Sequence, residues 1–264
     1  LIEVAFHQGA NPARGFEWII QSYGPCSAIT SLEQSTPADP AVRTACIEKL
    51  IGHLHQQLVE AIRADITRRG QPQPPSNASI VQLIAGRDWL FSDDSYHTDV
   101  SHLSTVVRWS VQATDPEAIA MAVDLAEYGR RLSPRLQYDS APPFERTFDD
   151  HLVYLKALAG RDVDAAVSHF RNKLDGQDDA EDDVQASIPA QVLVNLLLRV
   201  GRPEEAVEVA SRRLIGVPDS LLLCPPIAEL CQRSGRLDQL AEAAVRMKHP
   251  VHYLAARIQT ENRP

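Results

Sequence analysis

A glycine followed by an arginine recurs at Gly160-Arg161, Gly201-Arg202 and Gly235-Arg236, each time between two runs with helical periodicity. Around the middle copy the chain reads Val200-Gly201-Arg202-Pro203-Glu204-Glu205-Ala206-Val207. Gly201 ends a helix, because glycine enters the left-handed conformation just past a helix without a Cβ clash. Pro203 opens the next helix, where its missing N–H costs nothing. Glu204 and Glu205 follow at the positive end of that helix's dipole. Ala206 is small where two helices must cross closely. Such a joint turns the chain back on itself, so these segments are confined to short antiparallel helix pairs.

The 3.6-residue period predicts helices over about 14–22, 26–33, 40–69, 79–86, 99–112 and from Asp115-Pro116 to Leu132. In the later part it predicts 145–159, 163–174, 185–200, 203–215, 225–234, 237–247 and 251–261. Strand signals are nearly absent, so the expected class is all-α. Gly24-Pro25, Gly70, the proline-rich segment 71–77 and the segment 134–143 punctuate the first part. The acidic run 177–183 lacks the glycine and the alternating oxygen ligands of a calcium loop and reads as a solvated loop.

The joints carry further periodic features. Alanine follows the glycine five positions on at Ala165 and Ala206, and Leu240 with Ala241 takes that place after Gly235. Pro218 lies as far beyond Ala206 as Pro134 lies beyond Ala122. Residues 98–134 therefore read as an earlier, diverged copy with Asp115-Pro116 in place of the Gly-Arg joint. With Leu193, Gly201, the Glu204-Glu205-Ala206 run and Pro218, the segment 184–218 resembles the tetratricopeptide class of helical hairpins. It departs from that class at Val194, where glycine is common, and at Leu197, where an aromatic is common. The copies at 144–177 and 221–250 also lack the terminal proline.

The resemblance covers about 98–262. It implies a right-handed superhelix of antiparallel helix pairs, an α-solenoid whose concave face binds a peptide or protein segment. The physics agrees, since a lone helix pair has too little core and stacked pairs share one. The expected organisation is an N-terminal helical segment or cap over 1–97 and tetratricopeptide-like repeats over 98–264, continuous with it. In the terminal helix 251–261, the apolar residues Val251, Tyr253, Leu254 and Ile258 are expected to cap the stack, with pairing to another chain as the alternative.

Of 264 residues, 44% are hydrophobic and 23% charged, a globular composition. The net charge of −9 argues against a nucleic-acid backbone as partner, since that needs a basic face. Arg68, Arg69, Arg130, Arg131 and Arg135 read as ordinary helix-end cations. Cys26, Cys46, Cys224 and Cys231 form no CxxC pair, so reduced thiols in a cytoplasmic protein are the expectation. No apolar run reaches the length of a membrane span and no charged-then-apolar leader is present, so no membrane partner is expected.

Candidate chemistry concentrates between Trp89 and Trp109, where Asp93, Asp94, Tyr96, His97, Asp99 and His102 lie. On the helix beginning there, Val100, Leu103, Val107 and Val111 form the apolar face, and Asp99, His102 and Trp109 lie off it. His97, Asp99 and His102 have ligand types suited to zinc or a similar divalent cation. Alternatively Asp99 orients His102 as a general base. The structural reading makes Asp99 a helix N-cap, with His102 and Trp109 packed on a neighbouring pair.

His53 and His55 fall on opposite borders of the apolar stripe of helix 40–69 and cannot readily share an ion. His7, Glu17 and Trp109 are possible lining for a site in the first part. For Cys26, just after a Gly-Pro turn, a buried small cysteine is the expectation. An exposed thiol at a helix start is the alternative. Phosphate loops, GxSxG and HExxH are absent. Two functions follow: a scaffold binding a protein or peptide segment, with no cofactor, or a helical metal-binding, ligand-binding or catalytic protein sited near His97, Asp99 and His102.

Overall fold

The computed structural model describes residues 12–34, 39–91, 99–135, 144–176, 187–215, 217 and 222–261. Helix is the only regular structure among them. The chain divides into two compact units, Leu1–Ala159 and Gly160–Pro264.

The first unit opens with helix α1, Pro12–Gln34, bent at Gly24 (φ 80°, ψ 171°) where the Gly-Pro pair breaks the backbone ladder. Helix α2, Pro40–Arg68, is capped by Asp39, whose carboxylate accepts from the Ala41 N–H at 2.8 Å. Cys46, Leu50, Leu54, Leu58 and Ile62 recur every four residues along α2 and are all buried. Helix α3, Ile80–Ile84, starts at a reciprocal Ser79–Gln82 capping box and is followed by a 3₁₀ turn, Asp88–Phe91. Helices α4, Val100–Trp109, α5, Pro116–Leu132, and α6, Phe144–Leu158, complete the unit.

Helix α2 is the central element, packing on α1, α3, α4 and α5. The proline-rich segment after it is no free linker. Arg63 donates to the carbonyls of Pro74 (3.2 Å), Pro75 (2.5 Å) and Ser76 (3.1 Å) and straps the segment back onto α2. Buried Asp124 of α5 accepts from the Ile80 N–H at 2.8 Å, and His55 of α2 lies 3.2 Å from the same oxygen. One carboxylate thus ties α2, α3 and α5. Where α5 crosses α6, a Cβ on Gly129 would sit 2.3 Å from the ring of fully buried Phe148, so hydrogen alone lets the two helices approach.

The second unit contains α7, Val163–Asp175, α8, Ile188–Arg199, α9, Pro203–Arg213, α10, Ile227–Arg233, α11, Leu237–Arg246, and α12, Pro250–Glu261. Each packs on the next, and α9 also meets α11 while α10 meets α12. Gly201 (φ 76°) makes the joint expected of it. The Arg202 N–H bonds the Leu197 carbonyl at 2.8 Å and the Gly201 N–H the Leu198 carbonyl at 3.3 Å, satisfying two carbonyls that the helix end leaves free. The same pair of bonds recurs after α11, from His249 to Ala244 at 2.8 Å and from Lys248 to Val245 at 3.1 Å, but there a lysine occupies the left-handed position (φ 53°).

The arginine of the joint has its own role. Arg202 reaches back to Asp164 in the first turn of α7 at 2.7 Å, and Arg236 reaches Glu204 in the first turn of α9 at 2.7 Å. Each joint is thus tied to the start of the helix two elements earlier. Arg202 also bonds Glu205, which Arg171 holds at 2.5 Å. The Arg202 bond, reinforced by Arg171, keeps the Glu205 carboxyl below its ordinary pKa against the opposing effect of burial. Exposed pairs of this kind contribute roughly 0–1 kcal/mol each, so the ladder sets register more than stability.

Two substitutions test these packing statements in denaturant titrations. Gly129→Ala should destabilise by about 1–3 kcal/mol, because buried Phe148 has no room to swing away. Lys248→Gly should stabilise by about 1 kcal/mol and raise Tm by roughly 2–4 °C, because glycine enters the left-handed region without Cβ strain.

Candidate functional site

The residues singled out in the sequence do not share one place. His97 and His7 lie outside the described residues. Asp99 is the N-cap of α4: its Oδ1 accepts from the Ser101 backbone N–H at 2.7 Å and the Ser101 hydroxyl at 2.5 Å. The hydroxyl bond is the main reason its carboxyl sits below the ordinary range, opposed by burial and helped by the backbone bonds and nearby His102. The half-buried His102 borders the α4 interface. Among the described residues no three His, Cys, Asp or Glu side chains gather to hold a metal ion.

Trp109 departs from the helical-wheel reading. The wheel puts it off the apolar face, but it is buried together with Val106 and Val107. Helix α4 packs on α1, α2, α5 and α6, so its buried arc is far wider than a single-partner stripe. The Arg43 guanidinium of α2 lies 5.5 Å from the Trp109 ring centroid, a cation–π contact that covers the indole.

Glu17 lines an open cleft of about 450 Å³ between α1, α2 and the start of α5. Glu48, Lys49, His53 and Asp115 share it. Most of these groups are engaged. Lys49 pairs with Glu17 at 3.5 Å. Glu48 Oε1 accepts from the Thr114 N–H at 2.7 Å, the Thr114 hydroxyl at 3.1 Å and the Asp115 N–H at 2.9 Å. Asp115 caps α5 through the Ala118 N–H at 3.1 Å. His53 differs, since its Nε2 is buried with no hydrogen-bond partner. His53 lines this cleft, whereas His55 lies 3.2 Å from Asp124. Cys26 is exposed, not buried, because the bend at Gly24 turns the start of the second segment of α1 outward.

The feature that the sequence reading assigned to capping lies on α12. His252 and Ala256 are its buried side. Val251, Leu254 and Ile258, at i, i+3 and i+7, stand 67%, 57% and 56% exposed, and Tyr253 38%. The apolar stripe is therefore turned away from the unit's own core, which corrects the capping expectation. Val245 and Met247, just before α12, are exposed as well. No helix among the described residues is long and apolar enough to cross a membrane.

The pH response of the cleft follows from His53. Burial lowers its pKa below the ordinary histidine value, with the charge of Glu60 opposing. The unfolded chain therefore takes up the proton first as pH falls below about 6.5, and this group's contribution to stability is lost as pH passes down through the folded pKa. His53→Gln should flatten the fall in unfolding midpoint between about pH 7 and pH 5, measured by urea titration at each pH.

Comparison of the chain with protein-family models, with curated proteins and with solved structures finds no match to any of the three.

Proposed function

We propose that this protein is a helical scaffold that binds a protein or peptide segment. The observation that carries the reading is the apolar stripe of Val251, Leu254 and Ile258 facing outward from α12. Leaving three large aliphatic side chains in water forgoes about 1.5–3 kcal/mol apiece relative to full burial. Aliphatic residues at i, i+3 and i+7 present the seam that an amphipathic helix lays into. The structural use of Asp99, Glu48 and Asp115 at helix starts supports the same reading, because each carboxylate already accepts from a backbone N–H. The tetratricopeptide resemblance of 184–218 points in the same direction, toward partner capture by stacked helix pairs.

The test is selection from a displayed library of helical peptides against the intact chain, followed by binding measurements on the recovered sequences. Recovered peptides should bind with micromolar-range affinity and lose at least about tenfold on Leu254→Glu, a loss of about 1.4 kcal/mol. That substitution is on an exposed face, so its circular-dichroism spectrum and Tm should match the parent. A library that yields no binder sensitive to Leu254→Glu sinks the proposal.

A further inference from the structure

We infer that the proline-rich segment after α2 is itself a ligand, displayed for a protein module of the SH3 type, whose aromatic-lined groove with an acidic end reads polyproline helices. This surface belongs to the first unit and shares no residue with the α12 stripe.

The segment reads Arg69-Gly70-Gln71-Pro72-Gln73-Pro74-Pro75. Each proline fixes its own φ, and a residue before proline is driven out of the α region toward the extended, polyproline range. Gln71, Gln73 and Pro74 all precede a proline, so most backbone torsions from Gln71 to Pro75 are set covalently. Residues 71–75 accordingly contain neither helix nor turn. A turn closed by the Ala78 N–H on the Pro75 carbonyl at 3.0 Å ends the stretch. A polyproline helix repeats every three residues and rises about 3.1 Å per residue. Pro72 and Pro75 therefore stand on one edge, about 9 Å apart, and both are exposed.

The bonds that tie the segment down leave that edge clear. Gln73, between the two prolines, turns its amide inward and donates to the Arg63 carbonyl at 3.0 Å and the Thr67 hydroxyl at 2.6 Å. Arg87 holds the Pro72 carbonyl, and Arg63 holds those of Pro74, Pro75 and Ser76. The carbonyls of Gln71 and Gln73 accept no hydrogen bond from the described residues. Proline has no N–H, so a groove that reads such a helix packs X-Pro pairs between aromatic rings and donates to ligand carbonyls. Gln71-Pro72 and Pro74-Pro75 are the two pairs. The residue between the two prolines sits on the edge of the helix turned from the groove, and here that residue is bound to the protein's own body. The helix is preordered, so docking costs little further chain entropy. Arg69 is the only charged residue from 69 to 79. It is exposed, and its guanidinium lies 4.5 Å from the Trp89 ring centroid, which holds the cation near the Gln71-Pro72 pair. Of the nearest acids in sequence, Asp65 is buried and paired with Arg68, and Asp88 lies beyond α3. A carboxylate at the matching end of the groove complements Arg69.

The test screens the intact protein against an array of purified SH3 modules, with WW modules as the comparison set. At least one SH3 module should bind with a Kd of about 1–100 µM by fluorescence anisotropy. Pro72→Ala and Pro75→Ala should each weaken that binding by about fivefold or more, with circular-dichroism spectrum and Tm matching the parent. Arg69→Glu should weaken it at low salt, with the effect shrinking as ionic strength rises toward about 0.5 M. Leu254→Glu should leave it unchanged, which separates this surface from the α12 stripe. A synthetic peptide of residues 69–77 should bind no tighter than the intact protein, because the fold already displays the segment. Binding by that peptide but not by the intact protein overturns the inference, since the edge would then be masked by the fold. Failure of every SH3 module to bind overturns it too, as does binding that neither proline substitution weakens. Capture by WW modules alone overturns the SH3 assignment, and binding indifferent to Arg69→Glu overturns the acidic end of the groove.

Discussion

The left-handed residue that ends a helix is the constraint on which the second unit depends. At Gly201 it lets the chain reverse within one residue while the free carbonyls of α8 find donors in Gly201 and Arg202. The following helix then starts close enough for α8 and α9 to pack. The arginine that comes next is equally placed by the turn, and from there it reaches Asp164 at the start of α7. The Gly235-Arg236 joint repeats both the carbonyl bonds and the reach back, here to Glu204. A two-residue motif thus does two jobs: glycine turns the chain, and arginine registers the new helix against an earlier one. At Lys248 the bonds persist without glycine, so packing of α11 on α12 holds a residue type there that the backbone conformation disfavours.

The first unit is held differently. Its centre is α2, whose buried residues face several helices at once, and its connections are tied down by single polar side chains that reach over long sequence separations. Arg63 holds the proline-rich segment, Glu48 holds the entry to α5, and Asp124 joins α2, α3 and α5. Each satisfies backbone groups that would otherwise be buried or frayed at a helix end. This arrangement explains why carboxylates near the suspected site turn out to be caps. In a unit of many short helices, acids near helix starts are recruited by free N–H groups before any ligand is needed to account for them.

The outward stripe on α12 has the opposite logic. Val251, Leu254 and Ile258 are largely exposed, and the buried side of the same helix uses His252 and Ala256 instead. An apolar face left out of the core while a histidine is placed within it is a strong departure from ordinary partition.

The sequence alone determined where helices begin and end, because caps, prolines and helix-ending glycines act within a few residues. The helices from Phe144 onward follow the expected spans closely, and the bend at Gly24 and the cap at Asp99 are where local chemistry puts them. The sequence also marked Val251, Tyr253, Leu254 and Ile258 as the apolar residues of the terminal helix. Which way a stripe faces is not a local property. It depends on how many neighbours a helix has and on which sides, so tertiary packing alone buried Trp109 under Arg43, exposed Cys26, and turned the α12 stripe outward. The reach of Arg202 to Asp164 and of Asp124 to Ile80 likewise came from packing, since partners 38 and 44 positions apart leave no periodic trace.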